Sequence, residues 1–522
     1  MKPFKFFFLT ALALSSLTTN VQTTKARTTS KKAKTTVKKV TASQISFSEV
    51  FQNIETTNNY LNNGGDPNVK QNGETALASC IRAHQPEIAK LLINTKGINV
   101  NELSDYHDTY ATTRTAIIAA IEYPEIIKLL INEGANPNFQ EEVHAETASA
   151  QGKLTALMKA IIYGYHESAR ILIENGAKLD IQDACGNTAL MHAANRLRVN
   201  GKEVGENKED TKLLVENGAN LNTQNLEGMT ALMITASKGL PETAKILISK
   251  KADIELPSAK YGPTALQWAI IHGQTDMAKL LLKSGAKVDG HSKYGETPLM
   301  QAAQYTNLEM VKFLIDKGAN INSQSSTGQT PLMCAANSDV KEKENESIKI
   351  INLLIKKGAI INTQDQMGNS PLSLACLKST KRVLTLLDKG ANIDLPLNTG
   401  ETPLIKATLN ARPDIVKTLL DKGAKTDAQD ANGKTALMHA AAAKDVTSEN
   451  YSKYTEIVNL LLDKGTQLET QDKEGNTALY WAQRYNRKES ADLLLAKGAN
   501  PAKKYVSKLT INEGVKVSIR KK

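Results

Sequence analysis

The sequence predicts an all-α fold built as a solenoid, in which short helix–turn–helix units stack in a row with projecting β-hairpin loops. Three observations carry this. A Thr or Ser followed by Ala or Pro and then Leu or Ile recurs twelve times, beginning at Thr75, Thr115, Thr155, Thr188, Thr230, Thr264, Thr297, Thr330, Ser370, Thr402, Thr435 and Thr477. The recurrence has a basic period of 33 residues, lengthened in places by seven to nine, and such a period marks repeat architectures. Aromatic residues make up only 5% of the 522-residue chain, so its cores must be built from Leu, Ile and Ala. Numbering the units 1 to 12 by these starts, unit 4 is that of Thr188 and unit 12 that of Thr477.

Each element of a unit has a local reason. A Gly two residues before the Thr, as at Gly186, Gly228, Gly295 and Gly433, permits a tight turn. The Thr hydroxyl can cap a helix whose first position is Pro or Ala. Leu followed by Ala at +3 and +4, as in Leu190, Ala193 and Ala194, lays one apolar stripe on that helix and lets a neighbour approach closely. A second helix such as 415–422 stops at Gly423. A polar turn segment then leads into the next unit.

On these residues the chain resembles the ankyrin repeat family. Gly295-Glu296-Thr297-Pro298-Leu299 with Gly318-Ala319-Asn320, and Gly400-Glu401-Thr402-Pro403-Leu404 with Gly423-Ala424, fit the family pattern closely. The resemblance covers residues 71–502 as twelve repeats, preceded by a capping partial repeat over 47–70. It implies stacked helix pairs in a curved solenoid and a role in binding another protein.

There are departures. The place after the Leu, commonly His in the family, is Met158, Met191, Met233, Met300, Met333 or Met438, so thioether packing must replace a polar bridge. Lys251 stands where a second helix normally stops at Gly, and Thr113 replaces a turn Gly. Units 1 to 3 are expected to be the least regular. Insertions at 106–112 and 141–150 lengthen early hairpin loops. Those at 198–209, 338–346 and 445–454 separate the two helices of a unit and are expected to be solvated loops.

The ends differ from the body. Residues 1–26 read as a signal peptide, with Lys2 and Lys5 ahead of a twelve-residue, mostly apolar stretch from Phe6 to Leu17. That stretch is too short for the ~20 residues of a stable span. Two small-residue cleavage sites, around Ala13 and Ala26, are open. Residues 27–46 read as a basic, Thr/Lys-rich disordered linker. Residues 503–522 form a basic tail in which 508–519 alternates like a short hairpin and could cover the last apolar face of the body. The chain's net charge of +11 lies in these ends, since residues 1–48 hold nine Lys/Arg and no acid, and 503–522 hold seven Lys/Arg and only Glu513. The body, at −4, offers no basic groove, which disfavours nucleic acid.

No catalytic, cofactor-binding or metal-binding residue is assigned. Gly433-Lys434-Thr435 lacks the earlier Gly of a phosphate loop, that position being Ala428. His166-Glu167 lacks a second zinc-binding His, since 170 is Arg170. The four cysteines are far apart and read as free thiols filling gaps.

Helical geometry points to a binding stripe. With the Leu at 0° and about 100° per residue, the +2 and +6 positions fall at about 200° and about 240°, away from the Leu/Ala face. Candidate protein-binding residues there are Lys159, Tyr163, His192, Arg196, Trp268, His272, Gln301, Tyr305, Lys406, His439, Trp481 and Tyr485. Both Trp lie on this stripe, and Trp, Tyr and Arg are frequent hot spots. The two Trp read equally well as wedges between repeats. The chain is expected to be a monomer with an unidentified protein partner and no integral membrane segment once the signal is removed. The first reading is an exported, non-enzymatic scaffold that binds its partner through the concave groove and the hairpin tips, to which family analogy alone adds the role of a secreted effector. The second is a periplasmic or envelope scaffold tethered by the basic tails, and the third an enzyme whose site is assembled across repeats.

Overall fold

The computed structural model describes residues 46–106, 112–143, 152–199, 202–259, 262–443 and 448–501. The signal segment, the linker, the C-terminal hairpin and most of the two early loop insertions lie outside these residues. Within them each of the twelve units is a pair of helices. Unit 7, for example, pairs Pro298–Gln304 with Leu308–Asp316, and unit 10 pairs Pro403–Leu409 with Pro413–Asp421. Every first helix packs against the first helix of the next unit.

The caps work as the sequence requires. Thr155 Oγ1 accepts from Met158 N at 3.2 Å and Thr435 Oγ1 from Met438 N at 3.4 Å. The Met row is buried throughout; Met158 and Met333 are 1% and 0% exposed. Gly400 is required twice over. Its φ is +77°, and a Cβ there would lie 2.6 Å from Ala431 N, because the next hairpin's backbone crosses directly above it. Lys251 does adopt the left-handed turn, at φ 68°, a conformation that costs a non-glycine residue about 1 kcal/mol.

Two short helices, Phe47–Val50 and Ile54–Asn62, precede unit 1. Phe51 is buried there, with its ring edge-on to Phe47 (5.3 Å) and Tyr60 (5.8 Å). A hydrogen-bond ladder then runs the whole length of the stack. Asn68 Oδ1 accepts from Asn99 N at 2.6 Å, Asp180 Oδ1 from Asn220 N at 2.9 Å, and Asp394 Oδ1 from Lys425 N at 2.9 Å. The last step is Glu469 Oε1 accepting from Asn500 N at 2.9 Å, and each junction between has its own step. Each junction between units therefore has a polar bond at its base beside its apolar core.

Irregularity is greatest in unit 2, while units 1 and 3, expected to share it, have ordinary capped first helices, Ala76–Arg82 and Ala156–Tyr163. Thr113 sits in a strand, Thr112–Arg114, paired with both Ser104–Tyr106 and Glu142–Val143. The first helix of unit 2 is only Ala116–Ala119, and Thr115 Oγ1 is buried without a hydrogen-bond partner.

The expectation of solvated loops for the three later insertions is corrected. The first is an antiparallel pair, Arg196–Val199 with Lys202–Glu206. From it Glu206 Oε2 accepts from Thr243 N at 2.7 Å, at the start of the next unit's second helix. The second forms a 3-10 turn, Lys341–Lys343, and opens the helix Glu344–Lys356. There the Glu344 carboxylate accepts from Ser379 Oγ and from Arg382 Nη2 (3.2 Å) of unit 9. In the third, the helix Ser448–Asp463 begins inside the insertion. Tyr454 OH donates to Leu409 O at 2.9 Å, and Tyr451 OH donates to the Glu489 carboxylate. All three inserts brace a neighbouring unit: the first two reach the following unit, and the third reaches the preceding unit through Tyr454 and the following one through Tyr451.

Cys80, Cys334 and Cys376 are buried, and burial pushes each thiol up to about 12. Cys185 is half-buried, and all four are free thiols.

Candidate protein-binding face

The first helices carry the predicted stripe because their Leu and Ala turn inward. Leu266 and Ala269 are 2% and 0% exposed, while Tyr163 and Tyr305 at position +6 are 54% and 40% exposed. The two Trp pairs are side by side as expected. Trp268 stacks on His272 at 5.6 Å and 18°, and Trp481 on Tyr485 at 5.9 Å and 15°.

The +2 residues, however, are largely engaged at home. His192 Nε2 lies 2.8 Å from Asp183 Oδ2, His439 Nε2 lies 2.8 Å from Asp430 Oδ2, and Trp481 Nε1 donates to Asp472 Oδ2 at 2.8 Å. In each case the acid stands nine residues earlier, in the hairpin turn of the same unit. Its other oxygen accepts backbone amides two and four residues on, as Asp430 does from Asn432 N (2.8 Å) and Lys434 N (2.9 Å). One carboxylate thus ties the hairpin tip to the helix below it. Burial favours a neutral Asp183, but the His192 bond and the two backbone amides outweigh it and hold the carboxyl below its ordinary range.

The other polar +2 residues follow the same logic with different partners. Lys159, 7% exposed, pairs at 2.6 Å with Glu141, which also takes Arg114 at 3.1 Å. Gln301 Nε2 donates to Glu296 Oε2 at 2.9 Å. Lys406 donates to Asn369 of the preceding hairpin, and burial lowers its pKa.

Trp268 is the exception. Its turn residue is Ser258, whose hydroxyl donates to Glu227 O at 3.1 Å. The indole N–H of Trp268 is buried without a hydrogen-bond partner. His272, stacked on it, is held below its ordinary pKa by desolvation and, less, by Lys238. Tyr305, in the next unit, is pushed up by burial and by Glu296.

One placement is corrected. Arg196 is not on a helix beside His192: the helix ends at Ala193, and Arg196 begins the first strand of the inserted pair. Asn200-Gly201 between two alternating runs is a strong hairpin signal that breaks the helical register assumed for +6. The engaged +2 heads were also readable, since an Asp nine residues before each His and before Trp481 is plain in the sequence. A third feature left no local signal. Arg412 Nη1 reaches Leu377 O and Lys378 O (both 3.3 Å), and Arg487 Nη2 reaches Ala443 O (2.6 Å), each capping a first helix of the previous unit.

Among the described residues no group of three or more His, Cys, Asp or Glu is placed to hold a metal ion. No helix among them is long and apolar enough to cross a membrane.

A row of helix pairs tied by hairpins and an unbroken inter-unit ladder defines a linear repeat scaffold. The family profile for ankyrin repeats (3 copies) matches residues 47–141, 117–203, 202–292, 288–343, 340–430 and 423–505, and the chain belongs to that family. Two putative ankyrin repeat proteins of Acanthamoeba polyphaga mimivirus are similar to it. One is 28% identical over 212 residues, covering 30% of this chain and 34% of that protein. The other is 34% identical over 104 residues, covering 19% and 56%. A glycerophosphocholine phosphodiesterase of Schizosaccharomyces pombe is 30% identical over 132 residues, covering 23% of this chain and 10% of that enzyme. The chain thus spans between a tenth and about half of the length of these relatives. Ankyrin repeats suggest a protein–protein interaction scaffold, and proteins built from them are usually non-enzymatic.

Proposed function

We propose that the chain is a non-enzymatic scaffold that binds a protein partner along its first helices, with the docking centre on units 6 and 7. One observation carries this reading. On a stripe where polar +2 heads are tied to hairpins, Trp268 stacks on His272 with an indole donor that has no acceptor among the described residues, and Tyr305 of the next unit is 40% exposed. Aromatic anchors of this kind dominate interface energetics when a partner covers them. Lys159, His192, Lys406, His439, Trp481 and Tyr485 serve first as internal ties, and exposed Tyr163 adds a contact toward the amino end. Export by the N-terminal signal, a monomeric state and the absence of nucleic-acid binding belong to the same reading, supported by residues 1–26 and by a mildly acidic body.

The test is a pull-down with the full chain, read by mass spectrometry. Trp268→Ala with Tyr305→Ala loses the specific partner at unchanged fold, measured by circular dichroism. Retained capture by that variant defeats the docking centre. N-terminal sequencing of the mature protein checks export, and an intact Met1 refutes it.

A further inference from the structure

The last unit shows solvent a face that the earlier units cover. Leu420 and Leu462, each just before the Asp-Lys-Gly that ends its second helix, are 5% and 6% exposed, whereas Leu495 at the same place in unit 12 is 40% exposed. Val416 and Val458 are 0% exposed, while Ala491 at their position is half-buried. Beyond Glu469 and Asn500 the polar ladder stops, because the next acceptor position is Ala502. That polar step is missing beyond unit 12, where the apolar end remains.

We infer that the occupant of this end face is the chain's own segment 505–519. Three features of that segment suit the face. It alternates Leu509, Ile511, Val515, Val517 and Ile519, which puts these apolar side chains, interrupted once by Glu513, on one side of an extended run. It follows immediately: the eight residues from Ala502 to Leu509 span up to about 26 Å when extended, against a length of about 13 Å for the nine-residue helix Lys488–Ala496. It is also basic, and the face carries an exposed carboxylate. The mid-helix position that is Lys or Arg in units 1 to 7, from Lys90 to Lys312, and Lys417 in unit 10, becomes exposed Asp492 in unit 12. Lys503 and Lys504, ahead of the apolar run, carry the opposite charge. A polar outer cap on the terminal unit is what keeps a repeat stack soluble and stops it from adding a second copy end to end.

The experiment uses the full chain carrying Val515→Asp and Val517→Asp, read by hydrogen exchange and by sedimentation. The inference expects amides of Lys488–Ala496 to exchange at least tenfold faster while those of Pro413–Asp421 stay within twofold, with the unaltered chain sedimenting as a monomer. Leu495→Asn, the reciprocal variant, is expected to speed exchange in segment 505–519. Unchanged exchange of Lys488–Ala496 in the first variant overturns the inference. So does a concentration-dependent dimer of the unaltered chain that Leu495→Asn dissociates, which gives the face to a second copy instead.

Discussion

Trp481 and Trp268 occupy the same place in units 12 and 6, and they do different work. Trp481 is 7% exposed, donates to Asp472 at 2.8 Å, and has Lys434 Nζ 3.5 Å from its ring centroid. Trp268 is only half-buried, and its turn offers Ser258 in place of the acid. The same residue type on the same stripe is therefore an internal tie in one unit and, in the other, a half-buried ring whose buried indole N–H has no hydrogen-bond partner. The turn residue nine or ten positions earlier decides which.

The largest expected effect follows from that difference. Trp481→Ala removes a buried ring and strands the Asp472 carboxylate, at a cost of about 3–5 kcal/mol. Trp268→Ala should cost about 1–2 kcal/mol, as a half-buried ring with no hydrogen bond. Paired denaturant titrations check this, and equal losses would erase the distinction. A sharper version is Asp472→Asn, which keeps one acceptor and should cost less than Trp481→Ala.

Next in size is a pH effect. The folded carboxyl of Asp183 lies below its ordinary value, so the stability it contributes is complete above pH ~4 and is lost as pH falls through the lowered folded value. Asp183→Asn should then be less stable than the parent at pH ~5, with the gap closing toward pH ~2. A gap that stays constant over this range would show that the ionised Asp183 is not what ties His192 to the hairpin.

Removing one helix cap should matter less. Thr435→Ala deletes the acceptor for Met438 N and should cost about 1 kcal/mol. The smallest change is expected at Lys422, whose pair with Asp388 at 2.8 Å is exposed on both sides. Lys422→Met should shift stability by at most about 0.5 kcal/mol, and less still in high salt.

Much of this was legible in the sequence because the repeat is local. The Thr cap, the Gly turn and the Leu/Ala stripe are short-range rules, and they place the helix pairs correctly. Arg196 failed because a helical count was carried past Ala193, where the first helix ends, into the first strand of the inserted pair. The solvated-loop expectation failed at Glu206, Glu344 and Tyr454 for another reason: their partners lie in neighbouring units, 37, 38 and 45 residues away. Polarity marks a segment as surface, but it does not say that the surface touches the next repeat. The same holds for Arg412 and Arg487, whose capping role depends on where the previous first helix ends. The Asp-to-donor spacing of nine was the signal within reach. It separates His192, His439 and Trp481 from Trp268 without any coordinates, but not Lys159, Gln301 or Lys406, whose partners lie elsewhere.

The central claim is that a partner reads units 6 and 7 through the anchor left unsatisfied there. Hydrogen exchange on the complex with the captured partner tests it most directly. The account predicts new protection over Ala265–Ile271 and Pro298–Gln304, with Ala478–Arg484 of unit 12 unchanged. Protection confined to the unit 12 helix, with none in units 6 and 7, would contradict it.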